Sequence, residues 1–143
     1  MSQNNPEHRV LVLDDEEHIR KILKLVLERE GYQVFTAPNG EEAIVLAKVE
    51  HPEAILLDII MPMMDGYEVL RRLKSDPDTR AIPVIMVTAK GGERDIATSF
   101  RLGALFYVEK PFETKDLLEK LRVAIVRASE GGPGPSAPDS PPA

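Results

Sequence analysis

The chain has 143 residues, which suits one domain with a sizeable core. Its net charge of −6 argues against direct nucleic-acid binding through phosphate contacts, and the absence of cysteine excludes disulfides, thiolate metal sites and cysteine nucleophiles. No apolar run approaches the roughly 20 residues that span a bilayer, and the polar start lacks an apolar signal region, so a cytoplasmic protein with no membrane partner is expected.

Residues 1–7 are short and polar and are expected to be disordered. A first strand is predicted over 9–13, an apolar run that ends in Asp14-Asp15-Glu16-Glu17. Ile19, Ile22, Leu23, Val26 and Leu27 then follow the spacing of one helix face, and Gly31 supplies the stop. A second strand over 33–36 leads to a helix at about 41–49. A third strand over 54–57 ends in Asp58, and the loop Met61-Pro62-Met63-Met64-Asp65-Gly66 separates it from a helix over 67–74. A fourth over 83–87 ends in Thr88-Ala89, and the helix at 93–102 after it is stopped by Gly103. A fifth over 105–108 ends in Glu109-Lys110-Pro111, and Leu117, Leu118, Leu121 and Ile125 mark the last helix. Residues 129–143 are rich in Pro and Gly with almost nothing apolar to bury, so a disordered tail or the start of a linker is expected there. The folded domain is expected to span 8–128.

Five βα units imply an α/β fold with a parallel sheet and helices on both faces. The first, third and fourth strands are continuous apolar runs, as suits strands buried on both sides. In open parallel sheets, sites form beyond the carboxyl ends of the strands. That rule brings Asp14, Asp15 and Asp58 together, with Thr88 and Lys110 nearby. Each carboxylate pair at about 4 Å repels by roughly 4 kcal/mol at an effective dielectric near 20, so proton uptake, a cation or both must offset the charge. All-oxygen ligands suit Mg²⁺, and a carboxylate, Mg²⁺, a lysine and a small hydroxyl together make a phosphoryl-transfer site. Taken singly, an Asp after a strand would more often be a helix cap, Thr88 a strand-end hydroxyl, Lys110 a surface charge and Tyr107 a core aromatic. The joint pattern is what carries the chemistry. His8, His18 and His51 share no ligand-like spacing and are expected at the surface.

Four motifs now stand in order: Val10-Leu11-Val12-Leu13-Asp14-Asp15, Leu56-Leu57-Asp58 through Asp65-Gly66, Val87-Thr88-Ala89 and Lys110-Pro111-Phe112. Over about 8–128 the sequence resembles the receiver domain of bacterial two-component response regulators, the family of the chemotaxis response regulator. The resemblance implies a flavodoxin-like (βα)5 fold, doubly wound, with a five-stranded parallel sheet in the order 2-1-3-4-5. It implies that Asp58 is the phosphoacceptor and that Asp14, Asp15, Asp58 and the backbone carbonyl of Ile60 hold Mg²⁺. Thr88 and Lys110 would engage the phosphoryl oxygens, and Tyr107 would be the switch aromatic that follows Thr88. The Lys110–Pro111 bond is cis in the family. The implied partners are a sensor histidine kinase or a histidine phosphotransfer protein. A downstream protein or a second copy of the chain would bind the face made by the fourth helix, fifth strand and fifth helix.

The pair before Tyr107 is Leu105-Phe106, where acidic residues are common in the family, and it is expected to enlarge an apolar patch on that face. Ile60, two residues after Asp58, is expected to shield an acyl phosphate from water. The resemblance implies a signalling switch that catalyses only its own phosphorylation and dephosphorylation, not an enzyme in the ordinary sense. A stand-alone receiver is expected; the alternative is a fragment of a longer regulator with an effector domain. A flavodoxin-type electron carrier is disfavoured, because Asp14-Asp15-Glu16-Glu17 would repel the FMN phosphate. An aspartate-dependent phosphohydrolase usually spaces its two acids by two residues, whereas Asp14 and Asp15 are adjacent.

Overall fold

The computed structural model describes residues 8–89 and 91–130. Five strands and five helices alternate: β1 (Arg9–Leu13), α1 (Glu17–Arg29), β2 (Gln33–Ala37), α2 (Gly40–Glu50), β3 (Ala54–Leu57), α3 (Gly66–Ser75), β4 (Val84–Thr88), α4 (Glu93–Arg101), β5 (Phe106–Glu109) and α5 (Thr114–Ser129). All neighbouring strands are parallel, in the order β2-β1-β3-β4-β5, as the resemblance implied. The expected tail begins at 129, but α5 includes Ser129. Segments 1–7 and 131–143 lie outside the described residues. Among the described residues, no helix is long and apolar enough to cross a membrane.

The pleat of the sheet sorts its side chains into two cores. Leu11, Leu13, Ile55, Leu57, Val84 and Met86 point to one face, against Ala43 and Ala47 of α2 and Val69, Leu70 and Leu73 of α3. Val10, Val12, Leu56, Ile85 and Val87 point to the other, against Leu23 and Leu27 of α1 and Leu117 and Leu121 of α5. Each such Leu or Ile contributes roughly 1.5–3 kcal/mol by leaving water. Both cores therefore clamp β1, β3 and β4, and the ends of those strands are held rigidly.

Local chemistry sets the helix ends. Asn39 and Asp65 accept the backbone N–H of Glu42 and Glu68 and so cap α2 and α3. Gly103, at φ 111°, turns the chain from α4 into β5 through the left-handed region. Strands β4 and β5 each run one residue later than the apolar runs suggest. Pro83 has no N–H for the ladder, and Thr88 still pairs in register with Glu109.

Candidate functional site at the carboxyl ends of the strands

Asp14 follows β1 directly and is 2% exposed. Its N–H donates to the Ala37 carbonyl at 3.3 Å, and its Oδ1 accepts the Glu16 N–H at 3.0 Å. The Arg20 guanidinium donates to the Asp14 carbonyl at 2.7 Å. Asp58 follows β3, is 6% exposed, and donates its N–H to the Leu13 carbonyl at 3.1 Å. The sheet ladder thus continues into the loops and fixes two buried carboxylates side by side. Asp15 is exposed beside them. Ile60 N–H approaches Asp58 Oδ1 at 3.3 Å, so the loop folds back over the carboxylate.

Gly66 explains how α3 fits so close. Its N–H donates to the Ile59 carbonyl at 2.8 Å, and a Cβ there would lie 2.7 Å from Ile59 Cα and collide with the Asp58 carbonyl. Only glycine lets the first turn of α3 rest against the Asp58 loop.

From the other side, the Lys110 N–H donates to the Thr88 carbonyl at 2.8 Å, and the Lys110–Pro111 bond is cis, as the family implied. The Lys110 ammonium then reaches Asp14 Oδ2 at 2.6 Å and Asp58 Oδ2 at 3.2 Å. Burial pulls the Lys110 pKa down, but the Asp14 hydrogen bond and the charges of Asp14 and Asp58 outweigh it, and the net direction is up. Lys110 is therefore a fixed cation. Thr88 ends β4 fully buried, and Tyr107 on β5 is half-buried, paired in register with Met86. Burial raises the Tyr107 pKa, and the charges of Asp95, Glu109 and Asp58 raise it further.

Carboxylate oxygens of Asp14, Asp15 and Asp58 all lie within 4.8 Å of one another. Opposite oxygens around Mg²⁺ sit about 4 Å apart, so the cluster nearly matches the span of a hard cation's shell. Charge agrees: three carboxylates less one ammonium leave two net negative charges, which one divalent ion neutralises. The donor set fits Mg²⁺ and does not fit a thiophilic metal.

The structure thus brings Asp14, Asp15, Asp58 and Lys110 together, while Thr88 meets Lys110 through its carbonyl, Tyr107 lies on β5, and Ile60 is on the Asp58 loop and 55% exposed. Sequence reasoning missed Arg20, whose only signal was a cation one turn into the helix after Asp14-Asp15. It also placed His8 at the surface. In the fold His8 is half-buried, paired with Glu53 and 6.4 Å from the Tyr32 ring centroid, because β1 begins beside the turn into β3. Leu105 and Phe106 do not simply enlarge an exposed patch: both are partly buried against the α1–α5 core.

Comparison with known proteins agrees with this geometry. The family model for the response regulator receiver domain matches residues 10–122. The ycf27 protein of Porphyra purpurea, named a probable transcriptional regulator, is 42% identical over 126 residues, covering 88% of this chain and 51% of its own. The transcriptional regulatory protein ResD of Bacillus subtilis is 40% identical over 130 residues, covering 91% of this chain and 52% of its own. The chain therefore spans about half the length of these curated relatives. Among solved structures, a CheY-like response regulator receiver domain protein from Methanospirillum hungatei superposes with a TM-score of 0.81 at 31% identity, covering 87% of this chain and 98% of that one.

Proposed function

The chain belongs to the response regulator receiver domain family, and from that premise we propose that it is a switch phosphorylated on Asp58 by a sensor histidine kinase or a histidine phosphotransfer protein. The clustering of Asp14, Asp15 and Asp58, with Lys110 paired to Asp14 and Asp58, carries this reading. A carboxylate oxygen of Asp58 attacks phosphorus in line; the new O–P bond forms as the N–P bond to the donor's histidine breaks, and the imidazole leaves. Asp14, Asp15, Asp58 and the Ile60 carbonyl would hold Mg²⁺, which when bound neutralises charge on the phosphoryl oxygens. Lys110 supplies a second positive charge there, already oriented by its grip on Asp14. Thr88 donates its hydroxyl to a phosphoryl oxygen, and Tyr107 follows it inward. That movement biases the face of α4, β5 and α5 between two arrangements, one of which binds a downstream protein or a second copy.

The product is a signal, so the chain acts as a regulator that catalyses its own phosphorylation. The greater length of the matched relatives, and their names as transcriptional regulators, support a second reading in which the receiver controls an effector domain within a longer protein. Intact-mass measurement after incubation with acetyl phosphate and Mg²⁺ tests the core proposal. The native chain should gain one phosphoryl group, Asp58→Ala should gain none, and chelation of Mg²⁺ should abolish the gain. An equal gain in Asp58→Ala would sink it.

A further inference from the structure

A polar contact between two helices lies outside the acidic site. The Tyr67 hydroxyl donates to Asp95 Oδ1 at 2.7 Å, across a sequence separation of 28. Tyr67 follows Gly66, the residue seated on the Asp58 loop, and its ring packs on the core beneath α2 and α3. Asp95 lies in the first turn of α4, the helix reached from Thr88. The bond therefore ties together two helices whose first turns follow the two loops that leave Asp58 and Thr88.

Its surroundings strengthen it. Burial raises the Tyr67 pKa, and the hydrogen bond to Asp95 and the Asp95 charge raise it further, so the phenol keeps its proton to donate. One turn along α4, Ser99 Oγ is fully buried and makes no hydrogen bond among the described residues, although it lies near enough to draw the Tyr67 pKa slightly back. A charge-assisted hydrogen bond between partly buried groups is stronger than one in water.

We propose that Tyr67 is a positioning residue whose hydroxyl holds α4 against α3 and so resists the displacement of α4 that follows phosphorylation at Asp58. The inference rests on the receiver reading above. The Tyr67 ring is partly buried and packs against the core as part of α3, so a shift of α4 away from α3 must stretch or break the bond. A bond made in one arrangement and lost in the other sets the equilibrium between them, and any ligand that favours the second arrangement binds more weakly while the bond stands.

Calorimetric titration of the full chain with beryllium trifluoride and Mg²⁺, a phosphoryl mimic, tests this. Tyr67→Phe removes only the hydroxyl and should bind the mimic roughly three- to tenfold more tightly, within the range of ordinary coupling. Asp95→Asn keeps an acceptor but loses the charge, and should fall between Tyr67→Phe and the native chain. Without the mimic, amide exchange in α4 should be faster in Tyr67→Phe. A purely structural role would lower the melting temperature without tightening the mimic. Unchanged or weaker affinity in a folded Tyr67→Phe, or unchanged α4 exchange, would overturn the inference. A native chain that takes up no mimic would overturn the receiver reading itself, a separate and recognisable result.

Discussion

Ile60 follows Asp58 by two residues and is 55% exposed on the loop that leaves β3. Its side chain has no polar group with which to orient a water molecule, and its backbone N–H lies 3.3 Å from Asp58 Oδ1, so on the proposed function its branched apolar bulk would flank the approach of water to a phosphoryl group there. Hydrolysis of that group needs a water aligned for in-line attack, so Ile60 should lengthen its lifetime. Ile60→Asn supplies a donor and an acceptor at the same place. It should speed loss of phosphate by roughly threefold to tenfold, up to about 1.4 kcal/mol of barrier. The check is the decay of the phosphorylated mass after removal of acetyl phosphate; equal decay in both chains would refute the role given to Ile60. The native site meanwhile keeps its charges whatever stands at this position, because Lys110 pairs with Asp14 and Asp58 from the loop that follows β5.

At the scale of elements, α3 is tied to the segment that leads into β4 by Lys74, whose ammonium donates to the carbonyls of Arg80 at 3.0 Å and Ile82 at 2.8 Å. Burial pushes this lysine down from 10.5 to about 8. Below about pH 8 the ammonium is charged in both states and its burial penalty is fully present. Between pH 8 and 10.5 the unfolded chain binds more protons than the folded one, so stability rises with pH. The gap corresponds to about 3 kcal/mol for a fully buried group, and to on the order of 1–2 kcal/mol for one that is half-buried. Tyr32, Tyr67 and Tyr107, all raised from 10.0, work the other way as the pH approaches 10, where the unfolded chain begins to lose their protons first. Urea unfolding at pH 7.5, 8.5 and 9, below the tyrosine range, should show a rising free energy for the native chain and a flatter one for Lys74→Met. This device was not legible in the sequence, where Lys74 reads as an ordinary helix-end cation. What was legible was periodicity: alternating apolar runs and helical stripes gave all ten elements, because burial on both faces of a parallel sheet leaves a strong pattern. The acidic cluster followed from strand ends alone. The Tyr67–Asp95 bond did not, since nothing local tells a tyrosine on α3 that α4 will pack its first turn against it.

Over the whole molecule, the proposed switch would take up charge at one place in the fold and be read at another. The acidic cluster sits at the carboxyl edge of the sheet between β1 and β3, while β5 and α4 lie at the far edge of the same sheet. Thr88 on β4 and Tyr107 on β5 lie between these two regions. At that far edge Leu105 and Phe106 contribute packing more than exposed surface, and the outward aromatic is Phe100 on α4, 46% exposed. Phe100 is exposed on α4, the helix whose first turn bonds Tyr67, so a shift of α4 would present that ring differently, and exposed apolar area favours association. Sedimentation equilibrium should therefore show the native chain moving from 15.9 kDa towards twice that mass when beryllium trifluoride and Mg²⁺ are added. Phe100→Glu places a charge in the same patch and should hold the mimic-bound chain at monomer mass, because a buried unpaired carboxylate is disfavoured by several kcal/mol, on the order of what holds a small dimer together. Mimic-independent mass in the native chain would exclude a second copy as the occupant of this face and leave a different protein as its partner.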